Sequence, residues 1–439
     1  MAKRRKPNAK ALKHALTRAN PHFLVAALMV FQVTAMLLLA FKTDTVDWQA
    51  IAFAVAMPLV SQLVLRIFVR LWPVDRTLMV LILFLCSVSL VTLKDIARSP
   101  VTPGEQGVFM LLGFVVMGFG IAVARLNIDW RKGCVALMCL AVPVILSPFV
   151  PGLGNRQYGA LNWIQVSLGG FSVTAQPSEF VKPMLVICLA AMLGNHPGIK
   201  RAILALAFAA GLCGVLLIQS DLGALLIYFL TTVAMFYVAT SRLGLSLAGL
   251  GAGAACAVIA YKTMPYVQRR LQSFLDPWSD PMETGYQIVQ ALIAIGSGGL
   301  FGMGLGLGMP RNIPLYHSDF IFAAICEEFG LIFAVCLLIV YALIFMRALT
   351  IAMNARTSFH SLVAFGIAFM FALQALIIVG GNIRLIPLTG VTLPLVSAGG
   401  SSIVGTMASL GLLIGISSLN AEAEAVDLRR MEWREGGGL

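Results

Sequence analysis

The chain has 439 residues, 59% of them hydrophobic and only 11% charged, with a formal net charge of +12. Soluble domains carry about 25% charged residues, so a water-soluble globule is excluded. A nucleic-acid binder is excluded too, because the Lys and Arg residues fall in the first eighteen positions and in short breaks between apolar runs, as cytoplasmic anchors do.

A membrane helix needs about 20 apolar residues. In chain order the runs 23–41, 48–72, 77–93, 107–125, 134–150 and 177–193 qualify, followed by 201–219, 221–240, 244–262, 319–347, 360–380 and 396–418. The reading is an all-α polytopic membrane protein of about twelve spans, each satisfying its own backbone hydrogen bonds. With the basic N-terminus inside, the clusters at 70–76, 125–132, 200–201, 242, 347–356 and 429–434 share one face. An even count returns the C-terminus to that face. The first long run has no small-residue cleavage site after it, so a cleaved signal peptide is not expected. The eight cysteines lie in apolar segments without CxxC or CxxH spacing and read as small packing residues.

Two segments on the opposite face are long enough to be functional, 151–176 and about 263–318. Glu179 and Lys182 follow the first. They are three residues apart at a helix start, either a self-neutralising ion pair or the lining of a cavity. Asp221, after Gln219 and Ser220, is either an N-cap or a cavity residue. The second segment carries Arg269, Arg270 and Asp280, then glycines 302, 304, 306 and 308, which let the backbone turn tightly or approach a ligand. No strand precedes these glycines, which rules out a dinucleotide fingerprint. The segment ends at His317, Ser318 and Asp319, where Asp319 is either a helix cap or a general base at the lip of a cavity. Glu327 and Glu328 lie about two turns further in and require a partner or a cavity. Arg384, between Ile383 and Pro387, marks an irregular return loop.

Eight motifs occur in order: Gln176-Pro-Ser-Glu-Phe-Val-Lys182, Gln219-Ser-Asp-Leu-Gly223, Asp276-Pro-Trp-Ser-Asp-Pro281, Gly285-Tyr-Gln287, Ala294-Ile-Gly-Ser-Gly-Gly-Leu300, His317-Ser-Asp-Phe-Ile-Phe322, Pro387-Leu-Thr-Gly-Val-Thr-Leu-Pro394 and Ser397-Ala-Gly-Gly-Ser-Ser402. Together they resemble the RodA/FtsW/SpoVE family of shape, division and sporulation proteins over residues 77–418. The resemblance implies a peptidoglycan glycosyltransferase of the bacterial cytoplasmic membrane, both termini cytoplasmic, that polymerises lipid II beside a class B penicillin-binding protein. It implies a ten-helix core at 77–418, preceded by a basic tail at 1–20 and two additional helices within 21–76, and followed by a charged tail at 419–439. Four positions depart from the family pattern: Asn162 for arginine, Ser220 for proline, Leu315 for glutamate and Ala398 for tyrosine.

Carried onto this sequence, the family's catalytic aspartate falls on Asp319. Glu179 and Lys182 then line the substrate cavity, joined by Gln219, Asp221, Trp163, Asp280, His317, Ser318 and Ser401. The leaving pyrophosphate needs cations, for which Lys182, Arg156, Arg269 and Arg270 stand ready, and a Mg or Mn ion near Glu179 or Asp221 is a further expectation. A lipid II flippase and a non-catalytic scaffold for the penicillin-binding partner are the competing readings.

Overall fold

The computed structural model describes residues 21–436 apart from 43, 97–100, 158, 169–170, 196 and 284. The tail expected at 1–20 lies outside these residues. The chain is a polytopic helical membrane protein: among the described residues, eleven helices are long and apolar enough to cross a membrane. They are α1 (His22–Ala40), α2 (Trp48–Leu71), α3 (Arg76–Asp95), α4 (Pro103–Ala124), α5 (Trp130–Leu146), α7 (Ile199–Ile218), α8 (Leu222–Thr240), α9 (Leu243–Thr263), α12 (Ile321–Met353), α13 (Ser358–Asn382) and α14 (Gly400–Gly436). The twelfth expected span is α6 (Pro177–Leu193), whose seventeen residues reach only about 25 Å. It is buried along almost its whole length among α5, α7, α8, α13 and α14, so protein rather than lipid meets its ends.

The apolar runs become separate helices because the residues between them cap the helix starts. Asp47, Asp75, Asp129 and Asp221 each accept backbone N–H groups of the turn that follows, and Thr102 with Glu105 forms a reciprocal capping box. Packing then relies on small residues. A Cβ on Gly120 would stand 2.8 Å from the Ala408 carbonyl, one on Gly415 2.9 Å from that of Ile121, and one on Gly405 2.6 Å from that of Glu179. Glycine therefore lets α14 lie backbone to backbone against α4 and α6, the usual means of helix contact where lipid supplies no hydrophobic drive.

Three features differ from the sequence expectation. The 151–176 loop holds a three-stranded antiparallel sheet of β1 (Gly154–Gln157), β2 (Ala160–Leu168) and β3 (Phe171–Ala175), with a bulge between Asn155 and Gln157. The 263–318 loop contains two short helices, α10 (Pro265–Leu275) and α11 (Tyr286–Gly298). The charged C-terminal tail continues α14 as helix, tied by Arg125 to Glu422 at 2.7 Å and by Arg356 to Asp427.

Helix α12 is interrupted. Gly330 takes φ 84°, which stops the residues after it from donating to the preceding turn. The 299–309 loop repairs the break. Met303 N and Gly304 N donate to the freed carbonyls of Glu327 and Glu328 at 2.8 and 3.1 Å, while Leu331 N and Ile332 N donate to Gly299 and Leu300 at 3.0 and 3.2 Å. The glycines that sequence reading left open thus let one backbone approach another, since a Cβ on Gly302 would overlap the Glu328 carbonyl.

Candidate functional site

A cavity of about 510 Å³ opens at the end of the bundle where α6, α8 and α12 begin. Its floor is polar and closed. Lys182 Nζ donates to both Glu179 oxygens at 2.8 Å and to Gln374 Oε1 at 2.9 Å, so all three of its N–H bonds are used. Gln374 Nε2 passes the network on to the Thr392 carbonyl at 2.8 Å, and Thr392 Oγ1 lies 2.6 Å from Ser402 Oγ. Asp221 Oδ1 caps α8 through Ala224 N at 3.1 Å. Its Oδ2 accepts from Asn162 Nδ2 at 3.0 Å and Gln176 Nε2 at 2.8 Å. Both readings of Asp221 thus hold at once, cap and cavity residue.

Asp319 stands above this floor, one turn before α12 becomes regular. Its backbone is fixed from several sides: Asn382 Nδ2 donates to the Asp319 carbonyl at 2.8 Å while Asn382 Oδ1 accepts from Ala323 N at 3.2 Å. Ser397 Oγ donates to Ser318 O at 2.6 Å, and Ala398 N to His317 O at 2.9 Å. The side chain is half-buried, facing the cavity, yet enclosed by protein beyond its first neighbours. Burial pushes its pKa up to about 6, against the smaller downward pull of the Ser318 hydroxyl and the Arg270 charge. That places it where a general base works at neutral pH.

The opposite wall is α10. Arg270 Nη1 donates to Leu388 O at 3.0 Å and its guanidinium lies 4.5 Å over the Tyr266 ring. Arg384, from the irregular return loop, donates to the Phe274 and Leu275 carbonyls at 2.8 and 2.5 Å, a cation on the C-terminus of α10. Gly390 fills the gap between the two sides: a Cβ there would sit 3.5 Å from Asp319 Oδ2 and 3.6 Å from Arg270 Nη2. Two polar atoms in the lining, Asn162 Oδ1 and Thr389 Oγ1, are buried without a partner among the described residues.

Of the residues singled out in the sequence, Asp319, Glu179, Lys182, Asp221, Trp163, Arg269, Arg270, Ser318 and Ser401 line this one cavity. Four others do not. Gln219 turns inward and donates to Ile145 O at 2.6 Å, bracing α7 on α5. Arg156 is exposed on β1. Asp280 accepts from Glu283 N at 3.2 Å within its own turn. His317 packs edge-to-face on Tyr316 at 5.4 Å, and burial lowers its pKa. Sequence reading missed Gln176, Tyr266, Gln374, Thr389 and Asn382. Gln374 and Asn382 carry a detectable signal as amides inside an apolar run, which lipid would penalise without partners. Ser220, at φ 63°, adopts a conformation closed to proline, so this departure from the family pattern comes with a local backbone of its own.

The oxygens of Glu179 and Asp221 are committed to N–H donors, and among the described residues no group of three or more His, Cys, Asp or Glu gathers for a metal. The donor set there does not fit a divalent cation.

The comparisons with known proteins agree with one another. Residues 71–422 match the FtsW/RodA/SpoVE family, described as cell cycle proteins. Peptidoglycan glycosyltransferase RodA of Mycobacterium tuberculosis is 38% identical over 71% of this chain and 70% of its own length. Stage V sporulation protein E of Bacillus subtilis is 35% identical over 71% and 86%. Among solved structures, a chain from a peptidoglycan synthase complex that coordinates polymerization and crosslinking superposes with a TM-score of 0.65 at 28% identity, covering 79% of this chain and 98% of that one. Rod shape determining protein RodA of Thermus thermophilus gives 0.56 at 27% identity, over 78% and 96%. The chain belongs to the FtsW/RodA/SpoVE family.

Proposed function

We propose that this chain is a peptidoglycan glycosyltransferase that polymerises lipid II, with Asp319 as general base. The observation that carries this reading is a cavity-facing carboxylate whose pKa burial raises to about 6, set opposite a guanidinium across Gly390. In the step, the acceptor sugar's hydroxyl gives its proton to Asp319 as the oxygen bonds to the donor's anomeric carbon. The bond from that carbon to the pyrophosphate breaks, undecaprenyl pyrophosphate leaves with the electron pair, and the anomeric centre inverts. Arg269 and Arg270 supply the positive charge that the leaving group needs. Lys182, with its three donors used, holds the floor instead.

The basic loops support termini on the cytoplasmic side of a bacterial membrane and the cavity on the outer side. The likeness to a chain of a complex that couples polymerization with crosslinking supports a crosslinking partner, which we take to be a class B penicillin-binding protein. The test is direct. Wild type and Asp319→Ala, each with such a partner, receive purified lipid II, and glycan chains are resolved on a gel. Polymer from the wild type alone is expected. No polymer from either, with precursor moved across a bilayer, would shift the reading to a flippase.

A further inference from the structure

The hairpin of α1 and α2 lies outside the 71–422 family match, yet its turn reaches into the segment that leads to Asp319. Lys42, at that turn, places its Nζ 3.7 Å from Asp95 Oδ1, and the Asp95 side chain is fully buried at the end of α3. The same ammonium occupies the space where a Cβ on Gly306 would stand. Gly306, at φ 70°, donates its N–H to Glu328 Oε2, and Met309 N donates to Glu327 Oε1 at 3.0 Å. Three carboxylates, Asp95, Glu327 and Glu328, therefore lie close enough to act on one another's charge, both glutamates are buried, and Lys42 is the cation against Asp95. A second ion pair, Lys94 to Asp47 at 2.7 Å, anchors the same turn of the hairpin.

The mechanical consequence follows from the break at Gly330. Residues 321–329 form a half-helix set off by the non-helical Gly330, with the Glu327 and Glu328 carbonyls bonded to the loop instead of to the next turn. One end, at Ile321, continues Asp319 and Phe320; the other carries Glu327 and Glu328, roughly 10 Å along the rod from Ile321. Asn382, Ser397 and Ala398 hold the Asp319 end, and the clamp on the glutamate end sets the tilt of the rod about that hold, and with it the direction of the Asp319 carboxylate. Without Lys42 the fully buried Asp95 loses its charged partner and Gly306 loses the side chain packed on it, which loosens the 299–309 loop that clamps this end.

We infer that Lys42 is a positioning residue for Asp319, acting through the Asp95–Glu328 cluster, the 299–309 loop and the half-helix 321–329. The inference rests on the reading of Asp319 as the base. The hairpin is thereby part of the catalytic framework in this chain.

The experiment uses the full chain in nanodiscs with its crosslinking partner and lipid II, comparing wild type, Lys42→Met, Lys42→Arg and the paired Lys42→Met/Asp95→Asn. Glycan polymerisation gives kcat and KM, and amide exchange of the 299–309 loop reports its order without needing turnover. Lys42→Met is expected to lower kcat at least about tenfold, since a misplacement near 1 Å costs up to about a hundredfold. KM for lipid II should stay within about twofold, and exchange at Gly306 and Met309 should quicken. Lys42→Arg should restore both readouts, and the paired variant should recover part of each by removing the unpaired carboxylate. Unchanged exchange in Lys42→Met overturns the inference, whether or not kcat falls. So does a loss that appears in KM alone. If wild type makes no glycan, the polymerase reading fails, and the exchange measurement alone then decides the coupling.

Discussion

At the floor of the cavity Glu179, Lys182 and Asp221 are buried and each charged group is met by fixed donors or acceptors, whereas across the opening Arg269 is exposed on an eleven-residue helix with no buried residue. The floor belongs to α6 and α8, packed within the bundle. The opposite wall hangs from α9, of which Ser246 is the buried residue. The difference follows from electrostatics. A charge removed from water must have its partners in place before any ligand arrives, and it is then committed to them. A charge at the rim keeps its hydration and can rearrange around an anion at small cost. One region holds the geometry, and the other can respond to a ligand. Asp319 sits between them, with a backbone fixed from three sides and a carboxylate left open to the cavity.

Substitutions can break this contrast at either side. The largest effect is expected at the boundary. Asp319→Asn should cost polymerisation about 10²–10⁴-fold, the usual contribution of a general base, while thermal unfolding in detergent stays unchanged because the amide keeps an oxygen to accept from the Ser318 hydroxyl. A matching fall in stability would move Asp319 from chemistry to structure. At the floor the signs reverse. Lys182→Met leaves Glu179 buried and unpaired and should destabilise the protein by about 3–5 kcal/mol, with Lys182→Met/Glu179→Gln recovering most of it. Chemical denaturation of the two variants measures this, and equal stability in both would show the pair to be solvated after all. On the α10 wall, Arg270→Ala should lower kcat about 10- to 100-fold, since a cation facing developing charge is lost, with little change in unfolding.

Much of the architecture was legible because lipid imposes a simple rule on composition. Eleven of the apolar runs and the Pro177 start of α6 follow from it, whereas of the caps between them only Asp221 is weighed as one in the sequence. What escaped the sequence depends on contacts between distant segments. The sheet at 154–175 goes unseen in the sequence although Ile164, Val166 and Leu168 alternate with Gln165 and Ser167, because its three short strands lie within a loop between two membrane spans. The break in α12 is invisible since Gly330 is one small residue in a 33-residue apolar run, and the loop that repairs it comes from thirty residues earlier. At the site, Asp319, Glu179, Asp221 and Arg270 converge because helix ends meet there. Arg156 and Asp280 occupy the same loops yet end up elsewhere, since membership of a loop says nothing about facing. Lys42 offered no signal at all: it lies in a short turn outside every motif, and only the fold places it on Gly306.

The smallest effect is also the most discriminating test of how the two regions meet. Burial raises the Asp319 pKa to about 6, and Arg270 pulls it down by a lesser amount. A base must be ionised to accept a proton. Activity should therefore be nearly complete at pH 7.5, half-maximal near pH 6, and about a tenth of maximal at pH 5. Removing the cation removes the downward pull, so in Arg270→Met the acid limb should move to higher pH. Lipid II carries its own titrating groups, but these are common to both enzymes, and the difference between the two profiles cancels them. A shift to lower pH, or none, would mean that the guanidinium and the carboxylate are screened from one another by water in the cavity. The α10 wall would then act on the leaving group alone, with no influence on the base.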